Sequence, residues 1–347
     1  MMLDNPEKML PLDKSDMLGT LAKFPQLVES GRKAALRIKL DMDPCAGGIR
    51  FLGLGGSAIG GDIIRDWLGG NIAGGVTVDR GFEPSAPLRK DALVICCSYS
   101  GNTVETLSML GRVMKSKVEN IVLISSDGEL AAIARSKRLP FIRLEKVPMP
   151  RASLPLVFSA VATVCDRLGL TKKAGSSMTS ALGSCRKFIR NELAIEVPTE
   201  KNPAKQIAHT IHGFVPVAIA PVTMESIARR WKTQMNENAK QHCFFGTFPE
   251  ITHNEIVPWL RDKRSQNFTA ILLHDLLDNQ KMKKGFDKFR GTIASSVRTI
   301  DVQAHGKSRI EVMMNHILLA DYASIYSAFL SGVDPTPVDE ITSFKTR

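Results

Sequence analysis

Cys96-Cys97-Ser98-Tyr99-Ser100-Gly101-Asn102-Thr103 follows directly on the apolar run Ala92-Leu93-Val94-Ile95. An apolar run of this length, ended by a glycine turn, is typical of a buried parallel strand, and a helix is predicted to begin after it. Hydroxyl groups and the backbone N–H groups of a helix start can bind an anion together, and phosphate is the obvious one. Most such segments, however, are ordinary strand-to-helix turns in which Ser and Thr are helix caps.

The alternation of strand and helix continues on both sides of this segment. Helical patterns follow most of the predicted strands, which indicates βαβ units, parallel sheets and an α/β fold class. Ligands of such sheets bind beyond the carboxyl ends of the strands. The strands are predicted at residues 48–54, 76–78, 92–97, 120–124, 141–144, 215–220, 242–245, 268–274 and 299–303.

The length of the chain, 347 residues, exceeds what one hydrophobic core usually supports, so two domains are predicted. A polar break at residues 197–203 marks the candidate connector between them. The predicted organisation is an N-terminal helical arm (1–44, interrupted near Pro25), a first α/β domain (45–165), a helical connector (166–205), a second α/β domain (206–332) and a C-terminal tail (333–347).

Composition indicates a soluble globular protein, with 44% hydrophobic and 23% charged residues. The longest apolar stretch, residues 154–165, is too short to cross a bilayer, and residues 1–8 lack the features of a secretory signal. The six cysteines form no Cys-x-x-Cys pair and are predicted to be buried thiols. A cytoplasmic location is therefore expected.

The net charge of +11 is compatible with nucleic acid, an anionic membrane or a phosphorylated substrate as partner. The densest basic tract, residues 281–288, lies on a predicted amphipathic helix. A solvated helix face is predicted there, because the chain has only three Trp and three Tyr for base stacking. We expect no nucleic acid and no membrane as partners.

The loop after the first strand contains Gly53-x-Gly55-x-x-Ala58, with Asp79 at the end of the next strand. This pattern fits a dinucleotide site and an NAD(P)-dependent dehydrogenase. The loop continues as Gly56-Ser57, however, and the neighbouring strand ends in the Ser and Thr residues quoted above. Two such loops side by side form one pocket for a compact anion, which fits a sugar phosphate better than a pyrophosphate.

His209 and His212 are three residues apart on a predicted helix and lack a third ligand nearby. Two histidines without a companion are more typical of a core or surface pair than of a zinc site. We therefore predict no metal site and no cofactor.

Gly55-Gly56-Ser57 with Ser98-x-Ser100-Gly101-x-Thr103 resembles the sugar isomerase (SIS) domain. Three further stretches make the chain similar to the bifunctional phosphoglucose/phosphomannose isomerases of archaea and some bacteria, from about residue 45 to the C-terminus. The resemblance implies two SIS-type domains, each a parallel sheet flanked by helices in three αβα layers. The three stretches are residues 149–155, residues 236–240 with 249–255, and residues 332–338 with Lys345.

The resemblance also implies roles for particular residues. The implied base is Glu237, while Arg151 lies near the reacting carbons and Lys345 contributes from the C-terminus. The implied ring-opening residue is His253, which relatives donate from the partner subunit, so a homodimer is expected. Thr336 does not align cleanly with the threonine credited with accepting mannose, which makes phosphoglucose activity the firmer expectation. The implied phosphate ligands are Gly56, Ser57, Ser98, Ser100 and Thr103.

These residue types also suit the chemistry. Interconversion of an aldose and a ketose 6-phosphate moves a proton between C1 and C2 through an enediol, which requires a carboxylate near both carbons. Arg151 can stabilise the enediolate oxygens, and histidine titrates in the range that ring opening needs. The alternatives are a phosphosugar-binding module without catalysis and the dinucleotide enzyme.

Overall fold

The structure is a computed structural model and describes residues 2–42, 45–275 and 277–346. It divides into two compact units, Lys23–Leu182 and Met1–Ala22 with Gly183–Arg347, here called the first and the second unit. The strands are β1 Ile49–Leu52, β2 Val76–Asp79, β3 Leu93–Cys97, β4 Ile121–Ser125, β5 Phe141–Arg143, β6 Val215–Pro221, β7 Phe244–Phe248, β8 Phe268–His274 and β9 Arg298–Gln303. The helices are α1 Pro6–Met9, α2 Met17–Ala22, α3 Phe24–Arg37, α4 Gly55–Leu68, α5 Val104–Met114, α6 Glu129–Lys137, α7 Leu154–Arg167, α8 Ala174–Phe188, α9 Pro203–Ile211, α10 Glu225–Asn238, α11 Ile256–Arg261, α12 Gln280–Ile293, α13 Arg309–Leu330 and α14 Asp339–Thr346.

The first unit contains a five-stranded sheet in the order β2-β1-β3-β4-β5, and every neighbouring pair is parallel. All residues of β3 and β4 are buried, as expected for strands covered by helices on both faces. Helices α5 and α6 cover one face. On the other face, Gly61 of α4 packs on the ring of Phe51 and Gly60 packs on Val157 of α7.

The second unit contains a four-stranded sheet in the order β7-β6-β8-β9, again entirely parallel. Helices α11 and α12 cover one face through Trp259, Phe286 and Phe289. On the other face, α10 is joined to α13 by a buried ion pair in which Arg230 Nη2 lies 2.8 Å from Asp321 Oδ2. The predicted α/β class with two helix-flanked parallel sheets is confirmed.

The structure divides the chain at other points than the sequence boundaries. The predicted arm, residues 1–44, contributes to both units. Helix α2 buries Met17, Leu18 and Leu21 in the second unit, where it contacts α13. Helix α3 belongs to the first unit and packs on α7, with the rings of Phe24 and Phe158 6.4 Å apart. The predicted connector contains α8, and the boundary between the units falls inside that helix.

Several predictions about the surface and the thiols are confirmed. Helix α12 buries Phe286, Phe289 and Ile293 and exposes Lys281 and Lys288, so the basic tract is the polar side of an amphipathic helix. All six cysteines lie in the described part of the chain, and they are buried without a disulfide. Within the described residues, no helix has the length and apolar character needed to span a bilayer.

Candidate functional site

Two helices begin at the carboxyl edge of the first sheet, on neighbouring strands. Helix α4 starts at Gly55 directly after β1, and α5 starts at Val104 after β3. The strand order reverses between β1 and β3, and such a switch point is where open parallel sheets bind ligands. Helix starts present free N–H groups and partial positive charge, so the fold itself favours an anion at this place.

The hydroxyl groups predicted to bind phosphate lie together in the loop between β3 and α5. Ser98 Oγ is 2.8 Å from Thr103 Oγ1 and 3.5 Å from Ser100 Oγ. The N–H of Asn102 donates to Ser100 Oγ at 3.3 Å. Ser98 is buried whereas Ser100 is exposed, so the cluster extends from the interior to the surface.

Ser57, in the first turn of α4, links the start of that helix to the β3–α5 loop. Its hydroxyl oxygen accepts a hydrogen bond from the backbone N–H of Tyr99 at 3.2 Å. Burial raises the pKa of the neighbouring Cys97 thiol to about 12, although a hydrogen bond with Ser57 opposes the shift. The thiol is therefore protonated near neutrality, and Cys97 is not a nucleophile at this site.

Gly101 allows the hydroxyl loop to close on the following loop. Its φ is +76°, and a Cβ at this position would lie 1.8 Å from the carbonyl oxygen of Asp127. Asn102 Oδ1 accepts from the N–H of Glu129 at 2.9 Å, and the N–H of Leu130 donates to the Gly101 carbonyl at 3.0 Å. These supporting contacts were not predicted from the sequence, because nothing in it reveals that the loops after β3 and β4 touch.

Arg151 lies beside the start of α4. It belongs to a 3-10 turn, Pro150–Ser153, and is only 2% exposed. A Cβ on Gly56 would lie 3.3 Å from Arg151 Cα, so the two backbones are in close contact. The chain leading to this turn is fixed by Tyr99, whose hydroxyl accepts from the N–H of Val147 at 2.6 Å. The first unit thus brings the backbone of Arg151 to the start of α4, next to the loops predicted to bind phosphate.

Asp79, the acidic residue of the possible dinucleotide site, is already hydrogen-bonded within the protein. Asp79 is 1% exposed and accepts hydrogen bonds from Arg50 Nε at 2.9 Å and from the N–H of Ser85 at 3.0 Å. A carboxylate held in this way is unavailable to a ribose hydroxyl. The geometry therefore disfavours the dinucleotide interpretation.

Glu237 occupies the last turn of α10 in the second unit and is partly buried. Both of its neighbours are anchored by their side chains. Asn236 Oδ1 accepts from the N–H of Cys243 at 2.9 Å, and Asn238 Nδ2 donates to Ser324 Oγ at 2.8 Å. The Asn-Glu-Asn run thus holds a carboxylate between two fixed points.

His253 is exposed at the end of the 3-10 turn Glu250–His253. Ile251 of this turn belongs to the core formed with α12, on one face of the sheet. Helix α10 lies on the other face, where the guanidinium of Arg229 is 4.7 Å from the centre of the Phe245 ring. The structure therefore places the elements that carry Glu237 and His253 on opposite faces of β7, and it does not bring the two residues together on one face.

The remaining candidate residues lie near the C-terminus. Lys345 belongs to α14, but its side chain is outside the described part of the structure. Thr336 is 8% exposed, and its N–H donates to Asp334 Oδ1 at 2.8 Å.

The switch point of the second sheet has a different character from that of the first. Asp275, which follows β8, forms an ion pair with Arg309 at 2.6 Å. Asp278 accepts from the hydroxyl of Thr223 at 3.1 Å, and burial followed by repulsion from Asp275 raises its pKa. Two carboxylates share one arginine there, which is unfavourable for a phosphate, so the second switch point lacks the anion-binding character of the first.

No cluster of three or more His, Cys, Asp or Glu suited to a metal ion occurs among the described residues. His209 lies on α9, and burial lowers its pKa, while His212 is exposed just beyond that helix.

Comparisons with known proteins show which family and fold this chain resembles. The family model described as bacterial phospho-glucose isomerase C-terminal SIS domain matches residues 200–347. A bifunctional phosphoglucose/phosphomannose isomerase of Caldicellulosiruptor bescii is 33% identical over 92% of this chain and 94% of its own length. Another, from Aquifex aeolicus, is 31% identical over 89% of this chain and 92% of its own. A solved structure, a hypothetical protein of Thermus thermophilus, has a TM-score of 0.76 at 15% identity, covering 98% of this chain and 92% of that one.

Proposed function

The chain belongs to the family of bifunctional phosphoglucose/phosphomannose isomerases, and we propose that it interconverts glucose 6-phosphate, and also mannose 6-phosphate, with fructose 6-phosphate. One structural observation carries this proposal. Two helix starts and a cluster of hydroxyl groups lie together, and a buried arginine lies next to them, beside Gly56. That arrangement supplies a phosphate site and, next to it, a cation for a developing negative charge.

The phosphate group binds at the switch point of the first sheet. The residues for it are Gly56, Ser57, Ser98, Ser100 and Thr103. Backbone N–H groups from the start of α4 and hydroxyl donors from the β3–α5 loop surround one compact anion, and both helix dipoles favour its charge. This anchors the unreactive end of the sugar and leaves C1 and C2 free to react.

The reacting end requires a base and a group that stabilises charge. The carboxylate of Glu237 removes the proton from C2 of the open aldose, and the electron pair forms the C1–C2 double bond of an enediolate. A proton then passes from the C2 hydroxyl to the C1 oxygen, and the same carboxyl group returns its proton to C1 while the electrons of the C2 oxygen form the ketone carbonyl. Arg151 stabilises the enediolate oxygens, and one such interaction typically contributes a factor of about 10²–10³ in rate. Hydrogen moves as a proton throughout, so no redox cofactor takes part in this step.

Ring opening is the task of His253, and we propose that this residue acts in the site of a second subunit. Two observations support the proposal. The side chain is exposed, and its turn lies on the opposite face of β7 from the helix that carries Glu237. A homodimer supplies the histidine from the partner copy. An imidazole suits the acid and base steps of ring opening because its ordinary pKa lies near neutrality.

The last part of the proposal concerns the C-terminal tail. We propose that the tail that begins at residue 333 reaches the reacting end, and the contact that supports this is the hydrogen bond that Lys240 Nζ donates to the Asp334 carbonyl at 2.9 Å. Lys345 is proposed to contribute at the reacting end, and we propose a cytoplasmic enzyme that acts on small phosphorylated sugars.

An activity assay tests the proposal. The purified protein is incubated with glucose 6-phosphate, mannose 6-phosphate and unphosphorylated glucose, with a chelator present, and fructose 6-phosphate or fructose is measured. We expect turnover of the phosphorylated sugars and none of glucose. Tight binding of hexose 6-phosphates without turnover would replace the enzyme with a phosphosugar-binding module. Thermal protection by NAD(P) but not by fructose 6-phosphate would favour the dinucleotide enzyme.

A further inference from the structure

Lys240 has an unusual backbone conformation at a helix end. Helix α10 ends at Asn238, Ala239 is its cap, and Lys240 follows with a φ of +53°. Helices that end in this left-handed conformation usually have glycine there, because a Cβ is strained in it. The backbone at Lys240 is therefore strained, and the contacts of its side chain decide whether the residue has a role.

The side chain of Lys240 folds back over the helix that it ends. Its ammonium nitrogen lies 3.0 Å from the carbonyl oxygen of Glu237 and 3.3 Å from that of Asn238. It also lies 2.9 Å from the carbonyl oxygens of both Asp334 and Pro335. The ammonium therefore joins the last turn of α10 to the segment that leads into Thr336.

A helix cap alone does not explain this arrangement. Glycine would satisfy the backbone at Lys240 without strain, and water or a short hydrogen bond would satisfy the carbonyl groups of the last turn. Neither would connect that turn to residues almost a hundred positions later. The ammonium reaches both segments because it offers three donors on a flexible stem.

We propose that Lys240 is a positioning residue for Glu237. This inference rests on the proposed function, in which Glu237 transfers a proton between two neighbouring carbons. A base serving both carbons has to stay fixed while its charge changes, and small displacements of a reacting group cost large factors in rate. Asn236 and Asn238 fix the turn through their side chains, and Lys240 fixes the carbonyl group of Glu237 itself. Lys240 acts through Glu237 and not on the sugar.

The variant Lys240→Gly shows whether Lys240 positions Glu237 or only caps the end of α10. If Lys240 positions the base, kcat of the folded variant falls by about 10-fold or more while KM changes by less than about 2-fold, and relief of the backbone strain offsets part of the stability lost with the ammonium contacts. If Lys240 is only a cap, kcat stays at the wild-type value, and this result would overturn the inference. Arg138→Gly is the matched control, since Arg138 ends α6 with a φ of +54° and is exposed.

A second variant keeps the test decisive if the glycine variant folds poorly. Lys240→Met retains the strained backbone and the aliphatic stem but loses the ammonium, so it is expected to show the same fall in kcat at nearly unchanged KM. Wild-type activity with hexose 6-phosphates is measured alongside. An inactive wild type would refute the proposed function, whereas an active wild type with equally active Lys240 variants would refute the positioning role alone.

Discussion

Gly56 and Arg151 are in backbone contact: a Cβ on Gly56 would lie 3.3 Å from the Cα of Arg151. The contact places a buried arginine at the start of α4, where the fold already favours an anion. One compact unit therefore holds the proposed phosphate site and the proposed cation side by side. The packing of the 3-10 turn against the start of α4 holds the two backbones together.

Arg151→Lys tests the role of this cation. Lysine retains the charge but not the planar guanidinium, so phosphate binding should persist while stabilisation of the enediolate weakens. We expect kcat for fructose 6-phosphate formation to fall by about 10²-fold, with inhibition by inorganic phosphate changed by less than about 3-fold. Arg135→Lys, at an exposed arginine of α6, is the control and should behave as the wild type. An unchanged kcat in Arg151→Lys would remove Arg151 from the reacting end.

Gly101→Ala tests the hydroxyl loop. The added Cβ would lie 1.8 Å from the carbonyl oxygen of Asp127, at a φ of +76°, so the loop has to move. We expect a loss of stability of at least about 2 kcal/mol and weaker binding of hexose 6-phosphates. Gly111→Ala is the control, because nothing lies within 4 Å of a Cβ there and the residue is in the middle of α5. Helix propensity makes that variant equal to or more stable than the wild type by about 1 kcal/mol. Equal melting temperatures for the two variants would contradict the close loop contact.

His316 should make the protein sensitive to acid. Burial lowers the pKa of this imidazole from 6.5 to about 4, although a hydrogen bond to the His274 carbonyl opposes the shift. The unfolded chain then binds a proton more readily than the folded one below pH 6.5. The free energy of unfolding is therefore highest above this pH and should decrease by about 3 kcal/mol as the pH falls towards 4.

His316→Gln measures that contribution. Glutamine can still donate to the His274 carbonyl but does not titrate, so the decrease in unfolding free energy between pH 7 and pH 4 should be smaller than in the wild type. Urea denaturation across this range provides the measurement. The same acid dependence in both proteins would show that His316 is not the group responsible.

Mixed dimers test whether His253 serves a second subunit. Glu237→Gln and His253→Ala are each expected to be inactive alone. A hybrid of the two subunits has one site with an intact glutamate and an intact histidine, so random mixing should restore about a quarter of wild-type activity. No recovery in hybrids verified by mass spectrometry would contradict a shared site.

The sequence predicted the strands well where burial alone determines them. β8, Phe268–His274, has the predicted bounds because an apolar run covered on both faces leaves little freedom. β7 was predicted at residues 242–245 but spans Phe244–Phe248. The left-handed turn at Lys240 and the hydrogen bond between Asn236 and Cys243 delay its start, and neither is visible in a hydrophobic pattern.

Other differences between the predicted and the observed elements depend on which helices and strands pack against one another. The residues after β1 were predicted as a glycine loop, yet α4 begins at Gly55, since Gly60 and Gly61 allow the helix to approach Val157 and Phe51 closely. The apolar positions of α2 and α3 are equally suited to packing in either unit. Their pattern therefore predicted two helices, but not that α2 packs in the second unit and α3 in the first.

The residue types of the candidate site could be predicted from the sequence, but their arrangement in three dimensions could not. Motif spacing predicted that Ser57 and the Ser98–Thr103 cluster lie together, because adjacent parallel strands end at one edge of a sheet, and their binding of phosphate stays a prediction. The partners of Asp79 depend on the register between β1 and β2, which pairs Leu52 with Asp79 and which the sequence does not reveal. The ammonium contacts of Lys240 join residues far apart in the chain, so local patterns contain no sign of them.

The most direct test of the account is the exchange of the sugar's C2 proton with solvent in Glu237→Gln. The variant is incubated with glucose 6-phosphate in deuterium oxide, and deuterium at C2 is measured by NMR, while a thermal shift with fructose 6-phosphate verifies binding. We expect the wild type to incorporate deuterium, and the variant to bind the sugar but to incorporate none. Incorporation by the variant at the wild-type rate would show that Glu237 is not the base.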